Sequence, residues 1–265
     1  MSVLKSKRTL SRNEYVNTFI KLYKHTEEKL SKMAKRKRRF LADPIIIIMN
    51  DIFNDITEIN NQYFNYGIKL INEKERSEKV IEKLLSLQKP LLALWSIEEY
   101  KDSRMITWAE LIDEEIRYIA RLGALPNNKG KHMFILDFDT IRKVEFLNNM
   151  WALHKFIYSK VISLPTKYRD TTGMQLKELA DEAFYHLAEA NRFVPTNRAM
   201  YENRKKHIDI AFDRIRKMQI PVINLFLEME YSEQIMIEWS FLIDKEMKLL
   251  NGVIKSDAKR FGDLT

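Results

Sequence analysis

A repeat at a constant offset of 131 residues restricts the fold of this chain more than any other feature of its sequence. The chain aligns on itself without a gap over more than a hundred residues. In the clearest stretch, residues 105–115 and 236–246 are identical at seven of eleven positions, and Trp108 matches Trp239. Chance similarity between helical segments does not keep one offset for so long. The repeat therefore predicts two copies of one fold in series.

Each copy is predicted to be helical. The chain has only six glycines and six prolines, too few for the turns of an all-β protein. The run of four isoleucines at 45–48 favours a strand by residue type. Its counterpart at 176–180 has an amphipathic helical pattern, and two copies of one fold should agree, so both are interpreted as helix. The predicted fold class is all-α, two tandem four-helix bundles related by internal duplication.

The apolar spacing divides each copy into four helical segments. In the first copy they are 12–32, 36–64, 73–100 and 105–123, and in the second they are 140–163, 166–193, 199–230 and 232–256. Pro90 and Pro221 lie inside the third segment of each copy and are expected to kink it. The predicted domains are 1–125 and 139–265, joined by a linker at 126–138 with strong turn signals. Residues 132–138 fit either a short strand or an extended lead-in.

Several classes of function lack the residues that they need. The absence of cysteine excludes disulfides, thiolate metal sites and a cysteine nucleophile. No Gly-rich phosphate loop or nucleophile triad is present, and no Glu-x-x-His occurs, which a two-metal bundle would need. We therefore predict a protein that is not an enzyme and needs no cofactor. No apolar run suits a signal peptide or a membrane span, so a cytoplasmic protein without membrane contact is expected.

Positive charge is concentrated near the N-terminus. Residues 1–39 contain thirteen Lys and Arg against three Glu, whereas the net charge of the whole chain is only +8. Six cations fall within eight residues at a predicted helix–helix corner, called here the basic corner: Lys32, Lys35, Arg36, Lys37, Arg38 and Arg39. Such a block attracts a polyanion and releases counterions from a phosphate backbone. The alternative is a solvated charged corner without a partner.

A second basic cluster lies on the third helical segment of copy two. It contains Arg198, Arg204, Lys205 and Lys206, followed by Arg214, Arg216 and Lys217. Asp209 and Asp213 lie at helical spacing to several of these cations, so internal pairing is the competing interpretation. We assign Arg204, Lys205 and Lys206 to a possible nucleic-acid surface, second to the basic corner.

Three other sets of residues invite a functional interpretation. Trp108 and Trp239 resemble a base-stacking pair, but their spacing to core aliphatics predicts core anchors. Asp113, which recurs in copy two, is expected at the surface or in a contact between bundles. His186 has an aspartate at its repeat position, so we predict a boundary residue of the bundle and not a metal ligand.

The second copy resembles a known family. Leu164–Arg169 opens a long helix that reaches Gly173 and ends at 190–192, a Lys/Arg-rich helix begins at Arg204, and the last helix ends at 247–255. This pattern is similar to the accessory variability determinant (Avd) family of diversity-generating retroelements. It is also similar, more distantly, to the bundle proteins encoded by intervening sequences in 23S ribosomal RNA genes. Copy one departs from the pattern, with Ala42 at the position of Gly173 and a proline two residues later.

The resemblance implies a function that the residues alone do not. Avd proteins are non-enzymatic four-helix bundles that form basic rings and bind a reverse transcriptase and nucleic acid. We therefore expect an accessory protein that binds RNA or DNA, partners a reverse transcriptase and its template RNA, and forms a homo-oligomer. The competing expectation is a helical scaffold that binds an acidic protein, for example in a phage-defence system.

Overall fold

Helices make up almost all of the structure. The computed structural model describes residues 3–66, 73–98, 100, 102–125, 138–192, 194–229 and 233–264, and within these ranges it leaves out the side chains of 3–13, 36, 60–66, 73 and 102. No strand occurs among the described residues. The chain divides into two compact units, Met1–Ile135 and Leu136–Thr265. The predicted all-α class is confirmed.

The helices of the first unit, in chain order, are α1 (Val3–Ser31), α2 (Lys35–Leu41), α3 (Asp43–Tyr66), α4 (Glu73–Ser86), α5 (Gln88–Glu98) and α6 (Asp102–Leu122). Among these, α1 packs against α3 and α6, and α4 packs against the same two helices. The four long helices therefore contact one another in a closed cycle. The isoleucine run lies within α3, as predicted.

The helices of the second unit are α7 (Phe138–Lys143), α8 (Glu145–Ser163), α9 (Thr166–Tyr168), α10 (Met174–Arg192), α11 (Arg198–Lys217), α12 (Gln219–Met229) and α13 (Glu233–Phe261), with a π-helical turn at Arg169–Gly173 between α9 and α10. Here α8 packs against α10 and α13, and α11 packs against the same two helices. This cycle of contacts is the one seen in the first unit.

The ends of the helices repeat at the offset found in the sequence. A shift of 131 residues superimposes the start of α2 on that of α9, the start of α3 on that of α10, both ends of α5 on those of α12, and the start of α6 on that of α13. Local signals produce some of these ends. Pro165, for example, holds Leu164 in an extended conformation and so ends α8.

Prolines divide segments that the apolar pattern predicts as continuous. Pro90 and Pro221 are each the third residue of a helix, and the helix before each one ends at Ser86 or Lys217. A proline ring clashes with the carbonyl four residues earlier and provides no N–H, so the preceding helix stops there. Each segment is thus divided at one residue, Leu87 or Met218, and Met218 keeps helical dihedral angles, as expected for a kink. The segment predicted at 36–64 is similarly two helices, with Pro44 as the second residue of α3.

The predicted aromatic anchors lie in the cores. Trp108 and Trp239 are 1% and 0% exposed, and Trp108 Nε1 donates a hydrogen bond of 2.8 Å to Thr26 Oγ1. The surface position offered for Asp113 is wrong, because this residue is 6% exposed, and the alternative, a contact between bundles, stays a prediction. Its counterpart Asp244 does lie at the surface and pairs with Lys248 at 2.8 Å. The linker and the ambiguous segment at 132–138 fall outside the described residues except for Phe138, which begins α7.

Candidate nucleic-acid interface

The basic corner lies where α1 ends and α2 begins, as the sequence predicts. Lys32 occupies the turn, and Lys35 is the first residue of α2. Amide groups of Lys37 and Arg38 donate to the carbonyl of Ala34, which holds the turn closed. The corner is therefore a local backbone structure that places several long cationic side chains close together.

Not all six cations are equally available. Lys37 Nζ pairs with Glu98 Oε1 at 2.8 Å, and Lys32 lies 3.8 Å from Glu28. Lys35 and Arg38 are exposed and make no ion pair with any residue that the structure describes. Arg39 is also exposed, and the side chain of Arg36 lies outside the described set, as do those of the cations at positions 5, 7, 8 and 12. The corner thus presents exposed charge that its neighbours only partly neutralise.

The three cations predicted on copy two lie at the start of α11, in different environments. Arg204 is 12% exposed on its side chain, donates to Asp257 Oδ2 at 2.6 Å and also donates to the carbonyl of Ala190, so it connects α11 to α13 and to the end of α10. Lys205 pairs with Asp209 at 2.8 Å. Lys206 is exposed and makes no ion pair within the described part of the chain. Of the three, Lys206 alone keeps the exposed, unpaired charge that a phosphate contact needs.

The rest of that helix is close to neutral because its cations share acidic partners. Asp213 lies 2.7 Å from Lys217 and 3.5 Å from Arg216, and Arg214 contacts both Asp213 and Glu182. The hydrogen bond from Lys217, together with the charges of Lys217, Arg214 and Arg216, holds the pKa of Asp213 below its usual range. Internal pairing, which the sequence left open, is the arrangement observed.

A buried polar cluster in the second unit escaped the sequence analysis. Asp181, 6% exposed, accepts from Tyr158 at 2.8 Å and from Lys177 Nζ at 2.8 Å, and His154 Nε2 lies 2.9 Å away. Burial alone raises the pKa of Asp181, but the Lys177 ammonium and His154 outweigh it and lower the pKa to about 2. Lys177 and Asp181 are four residues apart on an apolar helix face. This spacing is the feature of the sequence that could have predicted a buried ion pair.

Each unit also buries a glutamate at the same repeat position. Glu115 and Glu246 are both 0% exposed. Burial raises the pKa of Glu115 well above its usual value, and it raises that of Glu246 to about 8 despite a hydrogen bond of 2.7 Å from Asn149. Both residues follow a core isoleucine by three positions, so core spacing in two copies marked them in advance. The neutral form of Glu246 is therefore favoured in the core up to about pH 8.

Two histidines of the second unit, His186 and His207, lie side by side. His186 is partly buried and its Nδ1 lies 2.8 Å from Nδ1 of His207. Burial, followed by the charge of Lys206, lowers the pKa of His207. No group of three or more potential ligands occurs in the described ranges. The pair joins α10 to α11, which fits the predicted boundary position of His186.

A second surface stands out by its apolar character. Two contacting helices of the second unit, α12 and α13, expose six large hydrophobic side chains, called here the apolar hairpin face: Ile220, Ile223, Phe226, Leu227, Ile237 and Phe241. Leu227 and Phe241 are 71% and 65% exposed. In the first unit the corresponding residues of α5 include Leu92, Trp95 and Ser96, which are buried. Exposed patches of this kind mark interaction sites.

Comparison with known proteins gives no relative: no protein-family model, no curated protein and no solved structure matches the chain. The structure adds one general property. Among the helices described, none has both the length and the apolar character needed to cross a membrane.

Proposed function

We propose that this protein is a non-catalytic accessory protein that binds nucleic acid through the basic corner. The observation that carries the proposal is the exposed cluster of cations at one helix–helix turn, with Lys35 and Arg38 unpaired among the described residues. A cluster of cations favours binding of a nucleic acid, because each contact between a cation and a phosphate releases a counterion. The sequence of the corner contains no known base-reading motif, so we assign most of the affinity to contacts with the phosphate backbone.

The architecture that supports this role is a tandem pair of four-helix bundles. The closed cycle of contacts in each unit and the helix ends that repeat at one offset both favour duplication of a single bundle. The exposed cations differ between the copies, whereas both bury a tryptophan and a glutamate at matching positions. We infer that the bundle is a scaffold and that one copy has become specialised for nucleic acid.

The partner that we propose is a reverse transcriptase with its template RNA. This part rests on the resemblance of the second copy to Avd proteins, together with the apolar hairpin face. Six exposed hydrophobic side chains on one pair of helices suit a protein partner, because nucleic acid is bound by charge and by stacking on aromatic rings. In this arrangement the first unit binds nucleic acid and the second unit binds protein.

The proposal is tested by titrating labelled single-stranded RNA and DNA with the protein at rising salt. We expect affinity to fall steeply, with a slope of roughly 0.7 per phosphate contact in the logarithmic plot. Replacing Lys32, Lys35 and Arg38 together by serine should reduce that slope by about 2. Absence of binding at low salt would contradict the proposal.

A matched control removes the same number of cations from the paired helix. Lys205, Arg216 and Lys217 all have acidic partners within α11. Their replacement by serine should leave the salt dependence nearly unchanged. An equal effect of both triple variants would mean that net charge, and not the corner, governs binding.

The second candidate function is a protein scaffold, and the apolar hairpin face favours it. In that case the basic corner binds an acidic protein surface. The two functions differ in one measurement: a scaffold binds an acidic protein but no RNA or DNA at low salt. The nature of the neighbouring genes, a reverse transcriptase or a defence effector, provides an independent test.

A further inference from the structure

A cavity of about 110 Å³ opens beside the basic corner, between α1, α2 and α3 of the first unit. Its walls combine apolar, hydroxyl and charged groups: Tyr23, Thr26, Glu27, Leu30, Ser31, Arg38, Ile46 and Met49. Leu30 and Met49 are each 1% exposed and form an apolar floor. The cavity therefore has a buried interior and a polar, charged opening.

Hydrogen bonds position two of the residues that line this cavity, Tyr23 and Thr26. Thr26 Oγ1 accepts from Trp108 Nε1 and donates to the carbonyl of Leu22, both at 2.8 Å. Tyr23 donates to Asn50 Oδ1 at 3.0 Å. These bonds tie α1 to α6 and to α3.

Two opposite charges line the cavity without neutralising each other. Glu27 and Arg38 both contribute to its wall, and both are exposed. Neither forms an ion pair with any residue in the described part of the chain. A ligand that presents a donor edge to the carboxylate and an acceptor edge to the guanidinium would satisfy both charges.

The second unit has no comparable arrangement at the matching positions. Tyr158 and Lys177 stand where the first unit has Glu27 and Ile46, and they are 2% and 7% exposed. They belong to the buried cluster around Asp181. At these positions the second unit therefore packs polar side chains against one another, whereas the first unit contains the cavity.

We infer that this cavity binds an unpaired guanine base, an inference that rests on the proposed binding of nucleic acid at the basic corner. Guanine offers two acceptors, O6 and N7, which arginine contacts in a bidentate manner. Its N1–H and N2–H donors face the other way and suit the carboxylate of Glu27. The apolar floor packs against the ring of the base. A cavity of ~150 Å³ in another protein encloses a whole benzene ring. The smaller cavity of this protein, about 110 Å³, therefore suits a base that is inserted only part of the way.

The same wall disfavours the simplest competing ligand. A free phosphate or a backbone phosphate group would be repelled by the Glu27 carboxylate and would gain nothing from the apolar floor. Single-stranded RNA is recognised in general by splayed bases that enter pockets, while its phosphates lie on cationic surfaces. The basic corner and the cavity together provide both parts.

The test uses Glu27→Gln in the full-length protein and single-stranded RNA oligonucleotides with one central guanine, inosine or adenine. For the wild type we expect guanine to bind about tenfold more tightly than inosine, which lacks the N2 amino group. Glu27→Gln should abolish most of that preference. It should also slightly strengthen binding of the adenine oligonucleotide, because it removes a negative charge beside the basic corner.

The matched control is Glu28→Gln. Glu28 is adjacent, pairs with Lys29 at 3.0 Å and does not line the cavity. This variant should keep the preference for guanine. A second variant, Ile46→Phe, fills the cavity without changing charge and should also lower the preference.

The outcomes separate the inference from the proposed function. Equal binding of all three oligonucleotides by the wild type, with tighter binding of each by Glu27→Gln, would overturn the base pocket and leave the basic corner intact. Absence of binding to any oligonucleotide at low salt would overturn the proposed function and this inference with it.

Discussion

At the scale of single residues, the unexpected feature is the number of ionisable side chains that are buried in the cores. Asp181 is held ionised by Lys177 and His154, whereas Glu246 is held neutral by burial. Both are carboxyl groups in one unit, and their surroundings shift their pKa values in opposite directions. A buried charge with complete partners and a buried neutral acid are the two arrangements that avoid an uncompensated charge.

The neutral acid predicts a pH dependence of stability. Unfolded Glu246 loses its proton above its ordinary pKa of 4.5, whereas the folded protein keeps it to about pH 8. Between these two pH values the folded state holds one proton more than the unfolded state. The free energy of unfolding therefore falls by about 1.4 kcal/mol for each unit by which the pH rises. Glu246→Gln should remove that slope and be more stable than the wild type at pH 8.

Chemical unfolding at pH 4, 6 and 8 measures the effect. Glu238→Gln, on the same helix but exposed, controls for the loss of one negative charge. A pH slope that is the same in Glu246→Gln and in the wild type would show that Glu246 is not neutral in the folded protein.

The ionised cluster predicts a large loss of stability when its anion is removed. Asp181→Leu leaves Lys177 and His154 buried without their partner, and we expect a cost of about 3–5 kcal/mol. The matched change in the first unit is Asn50→Leu, which removes one hydrogen bond near the surface and should cost about 1 kcal/mol. Urea unfolding of both variants tests this, and equal losses would contradict a structural role for the charged cluster.

At the scale of helices, α5 and α12 show the clearest divergence. Both follow a proline-induced break and have the same bounds at the repeat offset. Seven of the eleven residues of α5 are buried, whereas α12 buries Pro221, Val222 and Leu225. The same local structure therefore serves as core in one unit and as an apolar surface in the other.

That surface predicts a protein contact that is independent of nucleic acid. Ile220→Lys combined with Leu227→Lys should weaken copurification with the proposed reverse transcriptase at least about tenfold, because two lysines would be desolvated at the interface. Helix content should stay the same, since both side chains are more than half exposed. Affinity for RNA should also remain.

The control for this pair is Ile47→Lys, which places a lysine at an exposed apolar position of the first unit, 61% exposed. It should leave copurification unchanged. If the double variant copurified as well as the wild type, the apolar hairpin face would not be the binding surface for the enzyme.

At the scale of the whole molecule, a comparison of the two units separates the features that they share from those in which they differ. Both units bury a tryptophan and a glutamate at matching positions and interrupt the same helix with a proline. They differ in the exposed cations of the first unit and in the exposed hydrophobic residues of the second. The proposed division of labour, nucleic acid on one unit and protein on the other, follows these differences.

The sequence by itself determined the helical class, the repeat offset and the location of the basic corner. These depend on apolar periodicity, on backbone chemistry and on charges that are close together along the chain, all of which are local. It also identified the tryptophans as core residues, because their spacing to aliphatic neighbours is helical.

Only the tertiary structure decided which charges are available and which apolar residues are covered. Arg204 is internal because Asp257, 53 residues away, approaches it. Glu27 and Arg38 become neighbours of one cavity because three helices converge there. Pairing and burial depend on contacts between segments that are distant along the chain, and a pattern of residues along one helix cannot specify what the opposite helix provides.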